Sequence, residues 1–267
     1  MQIKTSDKAL QKYIDHYWIV ENCKALLGEK TAIYAYPGVT PEIIIVLDGF
    51  FKITYLGQTS KVTKSQVYAF IYDQVIIDLS TLNSFIIITF KPNGLASFLP
   101  FIDTTAEELM RNPISKVCDV LDPNFSKIEQ KLKAVDTRSK ADIINSWLSN
   151  LLDNEKTGFI SDVISNLGTN CSPKEIMNFT NYSYSTLERI FKKEIGLTPK
   201  KYQSLLRYKS AVKEICQTKN TDWSYYVDKY NYFDQSHFAK EVKKYTSFTP
   251  SQLNQVKSLP RVRSLWS

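Results

Sequence analysis

The sequence is poor in the residues that build metal centres and covalent staples. Among 267 residues there are four cysteines and two histidines. Cys23, Cys118, Cys171 and Cys216 lie far apart and form no CxxC or other metal-ligand spacing. They read as reduced, partly buried thiols of a cytoplasmic protein. No apolar run approaches the roughly 18 residues that a membrane-spanning helix needs. The opening stretch, MQIKTSDKALQKY, has no apolar h-region, so neither a membrane span nor a secretory signal is expected. Glycine is also scarce, at eight residues, while 43% of the chain is apolar, which excludes a low-complexity chain and indicates an ordered globular one. The length allows one or two domains with a real core. No pairing of nucleophile and base is visible, so no catalytic residue, metal or cofactor is expected.

Charge is unevenly spread. Residues 156–267 carry 18 Lys+Arg against 9 Asp+Glu, whereas residues 1–155 carry 16 against 18. The C-terminal part therefore has a net charge of +9 and the N-terminal part −2, which together give the +7 of the whole chain. Such asymmetry points to a polyanionic partner for the C-terminal part. A single basic amphipathic helix would suit a membrane surface. Here the charge is distributed over a helical domain with aromatic core positions, which favours nucleic acid.

The first hundred residues have the pattern of β-structure. Tyr17–Glu21, Glu42–Leu47, Phe51–Tyr55, Gln66–Phe70, Val75–Leu79 and Ser84–Phe90 are short runs rich in Ile, Val, Tyr and Phe. Turn signals such as Asp48-Gly49 separate them, which predicts a sandwich or small barrel. The unbroken run Ile43–Val46 predicts a central strand covered on both faces. Tyr34, Tyr36, Phe51 and Tyr55 suggest aromatic walls around an interior that is either filled or open to an uncharged ligand. Beyond it, a short helix over Leu95–Leu99 and a capping box at Thr105–Glu108 are expected. Helices are expected over Phe125–Ala134 and Ser139–Leu152, the latter with an apolar stripe serving as core or as a dimer surface. Asp153–Gly158 is a hinge candidate.

From Phe159 onward the pattern is helix and turn. Ile160, Val163, Ile164 and Leu167 keep helical period up to Gly168. Ser172, Pro173 and Glu175 align three helix-start signals. Asn181 then supplies a turn, and Ser183 or Ser185 opens a second helix, STLERIFKKEI. Leu187, Ile190 and Phe191 would point inward there, leaving Ser185, Glu188, Arg189, Lys192 and Lys193 outward. About 51 residues later the arrangement recurs. Trp223–Tyr230 is helix-length, Asn231 supplies the turn, and Asp234 can cap a helix in which Phe238, Val242 and Tyr245 form one buried stripe. Gln235, Ser236, Lys240, Lys243 and Lys244 fall off that stripe. A face of this kind suits duplex DNA, because Gln can pair with adenine, Arg and Lys with guanine or phosphate, Glu with cytosine, and Ser with either. Between the two copies, Thr198-Pro199 opens a helix to about Thr218. At 1.5 Å per residue its length is about 28 Å, of the order of one DNA turn.

SPKEIMNFTNYSYSTLERIFKKEIGLTPKKYQSLLRYKSAVKEI, followed by DQSHFAKEVKKYTSFTPSQL, resembles the AraC-type transcriptional regulators over about residues 160–255. The resemblance implies two helix-turn-helix units joined by one long helix, with Arg189 at the position of a base-reading arginine and His237 as a packing residue. Asn181, Asn231 and Ser247 stand where the family usually has Gly, and Met177 and Val227 where it prefers Ala. YPGVTPEIIIVLDG and FKPNGLASFL are more loosely similar to the β-rich sensor domains of such regulators, which implies a cupin-like jelly roll. Metal-using cupins need a cluster of His and Glu. This domain has only His16, so a metal enzyme is not expected.

The expected architecture is therefore α+β and multidomain. A cupin-like sensor or dimerisation domain covers 1–122, a helical connector 123–158, a double helix-turn-helix domain 159–258 and a tail 259–267. Base contacts are expected from Ser185, Glu188, Arg189, Gln235, Ser236 and Lys240, and phosphate contacts from Lys192, Lys193, Lys243 and Lys244. Ser172, Asn181, Asn231 and Asp234 have capping or turn roles. The partners implied are double-stranded DNA, a small-molecule effector, RNA polymerase and a second copy of the chain. Two alternatives remain at this stage: a protein-interaction adaptor with a degenerate DNA-binding domain, and a cupin-type binding module fused to a DNA anchor.

Overall fold

The computed structural model describes residues 2–3, 7–28, 32–35, 37–71, 73, 75–92, 94–99, 109, 112–152, 159–167, 171–218 and 220–255. The β-strands are β1 (Gln2–Ile3), β2 (Ile14–Val20), β3 (Ala32–Ala35), β4 (Glu42–Gly49), β5 (Phe51–Tyr55), β6 (Gln58–Val62), β7 (Gln66–Tyr68), β8 (Val75–Asp78), β9 (Leu82–Phe90) and β10 (Ile114–Lys116). They form two antiparallel sheets, one in the order β1-β2-β9-β4-β7-β10 and the other β3-β8-β5-β6. In the first, β4 and β9 are inner strands in register, with Ile43 opposite Ile88 and Ile45 opposite Ile86. The Ile43–Val46 run lies on an inner strand and is covered on both faces. Ile44 and Val46 face the space between the sheets, while Ile43 and Ile45 face a layer of helices.

That layer consists of α2 (Val117–Val120), α3 (Phe125–Lys133) and α4 (Thr137–Leu151), of which α3 and α4 carry most of its buried side chains, whereas α1 (Cys23–Leu27) packs on the core between the sheets through Cys23 and Leu26. Asp136, not Ser139, caps α4, accepting from the N–H groups of Arg138 and Ser139. Ile144, Trp147 and Leu148 are buried in the core beneath the first sheet. Of the two roles expected for this stripe, intramolecular core is the one observed. Polar ties hold the helix in place: Tyr17 Oη donates to Asn145 at 2.8 Å and Trp147 Nε1 to Asp122 at 3.0 Å.

The space between the sheets is packed with side chains. Phe51, Val75, Ile77, Phe85 and Ile87 are each no more than 1% exposed. Asp48-Gly49 is not a turn but an irregularity at the end of β4. At Gly49 φ is +87°, and a Cβ there would meet Thr81 O at 2.2 Å. β6 gives no strand signal in the sequence because its residues 58–61 are polar and exposed, as an edge strand's can be, and only Val62 is buried. Its hairpin turns on Leu56 and Gly57, both at positive φ, a geometry matched to strand twist but without the usual Asn-Gly signal. The short helix at Leu95–Phe98 is a 3-10 turn. Thr105–Glu108, Asp153–Gly158, Tyr36 and Gly168 lie outside the described residues. His16 is buried and bonded to Asp15 at 2.8 Å. None of the four cysteines is in a disulfide, and among the described residues no group of three or more His, Cys, Asp or Glu is placed to hold a metal. No described helix is long and apolar enough to cross a membrane.

The helices that follow are α5 (Phe159–Leu167), α6 (Pro173–Thr180), α7 (Tyr184–Glu194), α8 (Pro199–Thr218), α9 (Trp223–Lys229), α10 (Gln235–Thr246) and α11 (Pro250–Gln255). Their core also takes in Val39 and Phe70 from the β domain, and Lys12 pairs with Asp162 at 3.4 Å. The two parts therefore touch through both apolar and charged groups. Near this seam Glu42 is fully buried. Its Oε1 accepts from Thr89 at 3.2 Å, while Oε2 has no protein partner. Burial pushes its carboxyl well above the ordinary range, and Thr89 and the charge of Lys209 on α8 only partly oppose this. Burial likewise lowers Lys209 to about 8, with Glu42 opposing.

A buried carboxyl with a raised pKa favours the fold below its unfolded value and opposes it as pH rises above. Glu42→Gln removes that penalty. The gain in melting temperature of this variant over the parent should therefore be larger at pH 8 than at pH 5, as thermal melts at the two values would show. An equal gain at both would mean that Glu42 does not titrate as a buried acid.

Candidate nucleic-acid interface

The first unit is built from α6 and α7. Ser172 Oγ accepts from the Glu175 N–H at 3.2 Å and Glu175 accepts from the Ser172 N–H at 2.7 Å, a complete capping box. Asn181 ends α6 with φ 57°. Ser183, rather than Ser185, caps α7 by accepting from the Thr186 N–H at 3.3 Å. Leu187 and Phe191 are buried and Ile190 is half-buried, so α7 is seated on its apolar stripe. Glu194 at its end accepts from the N–H groups of Phe159 and Ile160 at 3.1 and 2.9 Å, which caps α5 and joins it to the unit.

On the opposite face of α7, Ser185, Arg189 and Lys193 are exposed. Glu188 pairs with Lys192 at 2.9 Å, one turn along. Arg189 makes no hydrogen bond or ion pair among the described residues. The predicted base-facing and phosphate-facing residues of this unit share one helix face.

The second unit is built from α9 and α10. Asp234 caps α10 by accepting from the His237 N–H at 2.6 Å. Phe238, Val242 and Tyr245 are buried, as their spacing required. Gln235, Ser236, Lys240, Lys243 and Lys244 are exposed, with Gln235 Nε2 donating to Ser224 on α9 at 2.8 Å. His237 packs edge-on against Tyr232 at 5.4 Å and accepts from the Phe233 N–H at 3.4 Å, a structural placement. The aromatics that make this unit irregular in sequence are its fastening. Tyr226 stacks on Phe238 with centroids 5.8 Å apart, and Tyr230 stacks on Tyr226 at 6.4 Å. Met177 and Val227, the larger residues at Ala positions, are partly buried against the same core.

Both units are bolted to α8. Arg207 donates to both carboxylate oxygens of Glu241, at 3.1 and 2.9 Å from Nη2. Its guanidinium carbon lies 4.4 Å from the centre of the Tyr232 ring. Lys201 Nζ donates to Tyr245 Oη at 3.0 Å. Near the other end of α8, Glu214 accepts from Lys229, Tyr230 and Tyr225 at 2.7, 2.6 and 2.8 Å. The hydrogen bond from Lys229, followed by that from Tyr230, lowers the Glu214 pKa to about 2. α10 contacts residues 201–208 in the first half of α8, while α9 contacts its last turns.

Where α10 crosses the start of α8 there is a groove of about 420 Å³ bordered by Lys200, Lys201, Lys240 and Lys244. Lys200 and Lys201 were not singled out from the sequence. The signal available was Thr198-Pro199-Lys200-Lys201, a helix start carrying two cations next to a basic helix. These lysines extend the positive edge of the second unit.

Residues 176–255 match the family model described as a helix-turn-helix domain. A comparison with curated proteins gave no match. Among solved structures, the chain is similar to ToxT from Vibrio cholerae. The apo form of a ToxT variant shares 11% identity, with 89% of this chain and 95% of that one covered and a TM-score of 0.43. Wild-type ToxT with an unsaturated fatty acid bound shares 10%, over 89% and 93%, with a TM-score of 0.43. A further ToxT structure shares 9%, over 95% and 94%, also at 0.43. Paired, capped helices with a polar, basic outer face and a matching family model make residues 176–255 a helix-turn-helix domain.

Asn181, Asn231 and Ser247 all adopt positive φ, at 57°, 53° and 64°, which explains the family's glycines at these positions. Asn tolerates this conformation better than Ser. Ser247→Gly should therefore stabilise the full chain by about 0.5 kcal/mol, the relief of left-handed strain less the entropy of a glycine. Chemical denaturation measures this, and a destabilised variant would refute the strain.

Proposed function

We propose that the chain is a sequence-specific regulator in which α7 and α10 enter the major groove of one duplex. Ser185, Glu188, Arg189, Gln235, Ser236 and Lys240 face base edges. Lys192, Lys193, Lys243 and Lys244, joined by Lys200 and Lys201, run along phosphates. The observation that carries this reading is the seating of both helices. Each is capped and buried on one side, and each leaves a polar, basic face outward in a part of the chain with net charge +9. Glu188 is held by Lys192, so its contact with a cytosine amino group would require exchanging one partner for another.

The β domain, on this reading, sets the regulator's state through its contact with α8, acting in the cytoplasm and with RNA polymerase as a downstream partner. Its packed interior favours control at the seam around Val39, Phe70 and Glu42 over a large internal pocket. A small, weakly polar effector or pairing of two chains could act there only by favouring one arrangement of the domains over another. A degenerate adaptor is disfavoured, because the second unit is fully capped and packed.

Two measurements test the DNA reading. With six or more lysines near phosphates, affinity should fall by about 10³ between 50 and 200 mM salt. An affinity independent of salt would contradict phosphate-dominated binding. Arg189→Ala should cost about 1–3 kcal/mol and relax preference at one position of the selected site, whereas Lys193→Ala should weaken all sequences alike. Gel shifts on selected and scrambled duplexes separate the two effects. If Arg189→Ala left both affinity and preference intact, Arg189 would not be a base reader.

A further inference from the structure

Phe233 is 90% exposed, the most exposed of the large apolar side chains described. It stands immediately before Asp234, the cap of α10. An apolar residue at this position ordinarily folds back onto the fourth helical residue and staples the helix start. In α10 that residue is Phe238, but Tyr232 takes the place, with ring centroids 5.1 Å apart. Phe233 is thus released from the staple and points its ring into solvent at the entrance of a proposed reading helix.

The first unit supplies an internal control. Aligning the caps Ser183 and Asp234 sets Tyr182 opposite Phe233. Tyr182 is 42% exposed and stacks on Phe159 of α5 at 5.3 Å, with 26° between the rings. The second unit holds the same kind of side chain at the same position with no such cover. Its neighbours Gln235 and Ser236 are exposed at the helix start, the end from which helix-turn-helix proteins contact base edges.

The geometry points to Phe233 as an apolar specificity residue that packs on the 5-methyl group of a thymine in the major groove, at the edge of the second half-site. The inference rests on the proposed reading of α10 as a base-contacting helix. Thymine is the base whose major-groove edge carries a methyl group, and apolar side chains recognise it there. Neither the polar side chains of α10 nor its lysines can make that distinction. Phe233 therefore adds a preference that Gln235, Ser236 and Lys240 do not supply.

The test uses the full chain, a duplex selected from a random pool, and copies of it in which each thymine is replaced singly by deoxyuridine. This exchange removes the methyl group and leaves base pairing intact. One replacement in the second half-site should weaken the parent protein about fourfold, the worth of roughly one buried carbon at ~0.8 kcal/mol. Phe233→Ser should bind the thymine duplex about as weakly and should no longer distinguish it from the deoxyuridine duplex. The exposed position makes this variant safe for folding, and a matched circular dichroism melt verifies that. Parent affinity indifferent to every thymine replacement, or a Phe233→Ser variant that keeps the discrimination, would overturn the assignment while leaving α10 as a reader. Failure to select any duplex would remove the DNA reading itself.

Discussion

The seating of α10 depends on one half-buried charge pair. Arg207 grips Glu241 through two nitrogens, with side chains only 22% and 11% exposed. Ser204 donates to the same carboxylate at 2.8 Å, and the Tyr232 ring covers the guanidinium. Burial alone would lower the Arg207 pKa, but Glu241 outweighs it and holds the pKa above its ordinary value. Removing one partner would strand the other charge in a partly desolvated site. The pair therefore fixes the position of α10 on α8 more firmly than apolar packing alone would. Tyr245, which packs on Tyr208 and accepts from Lys201, sets the same contact one turn further along.

The rest follows from α8 as a shared spine. Its buried stripe of Tyr202, Leu205, Tyr208, Ala211, Val212 and Ile215 meets both units. Glu214 clamps α9 to its far end. The β domain reaches the same core with Val39 and Phe70. A change in how that domain sits would therefore bear on the element that sets the relation between α7 and α10. This is a direct mechanical route from the β domain to the proposed reading helices that needs no long relay.

Much of this was legible in the sequence, for local reasons. The Ile43–Val46 run, the Ser172 capping box and the Phe238-Val242-Tyr245 stripe each carry their geometry in spacing and side-chain chemistry. The three residues at glycine positions proved to be left-handed, as Asn181 and Asn231 suggested. What could not be read was tertiary. The edge strands β1, β6 and β10 are short or polar and give no periodic signal. The helix expected from Ser139 begins at Thr137, because Asp136 caps it. The stacking of Tyr226 on Phe238 and Tyr230 is likewise a tertiary feature that spacing does not give. Phe233 could not be singled out at all, since exposure is decided by whether Tyr232 or Phe233 takes the staple.

The central claim is that α7 and α10 are held as one rigid pair. Selection of duplexes from a random pool by the full chain tests this most directly, by showing whether the recovered sites share one spacing. Rigid attachment to α8 predicts two short motifs at a single fixed separation of about one helical turn. A lone motif, or two motifs at freely varying separation, would contradict it.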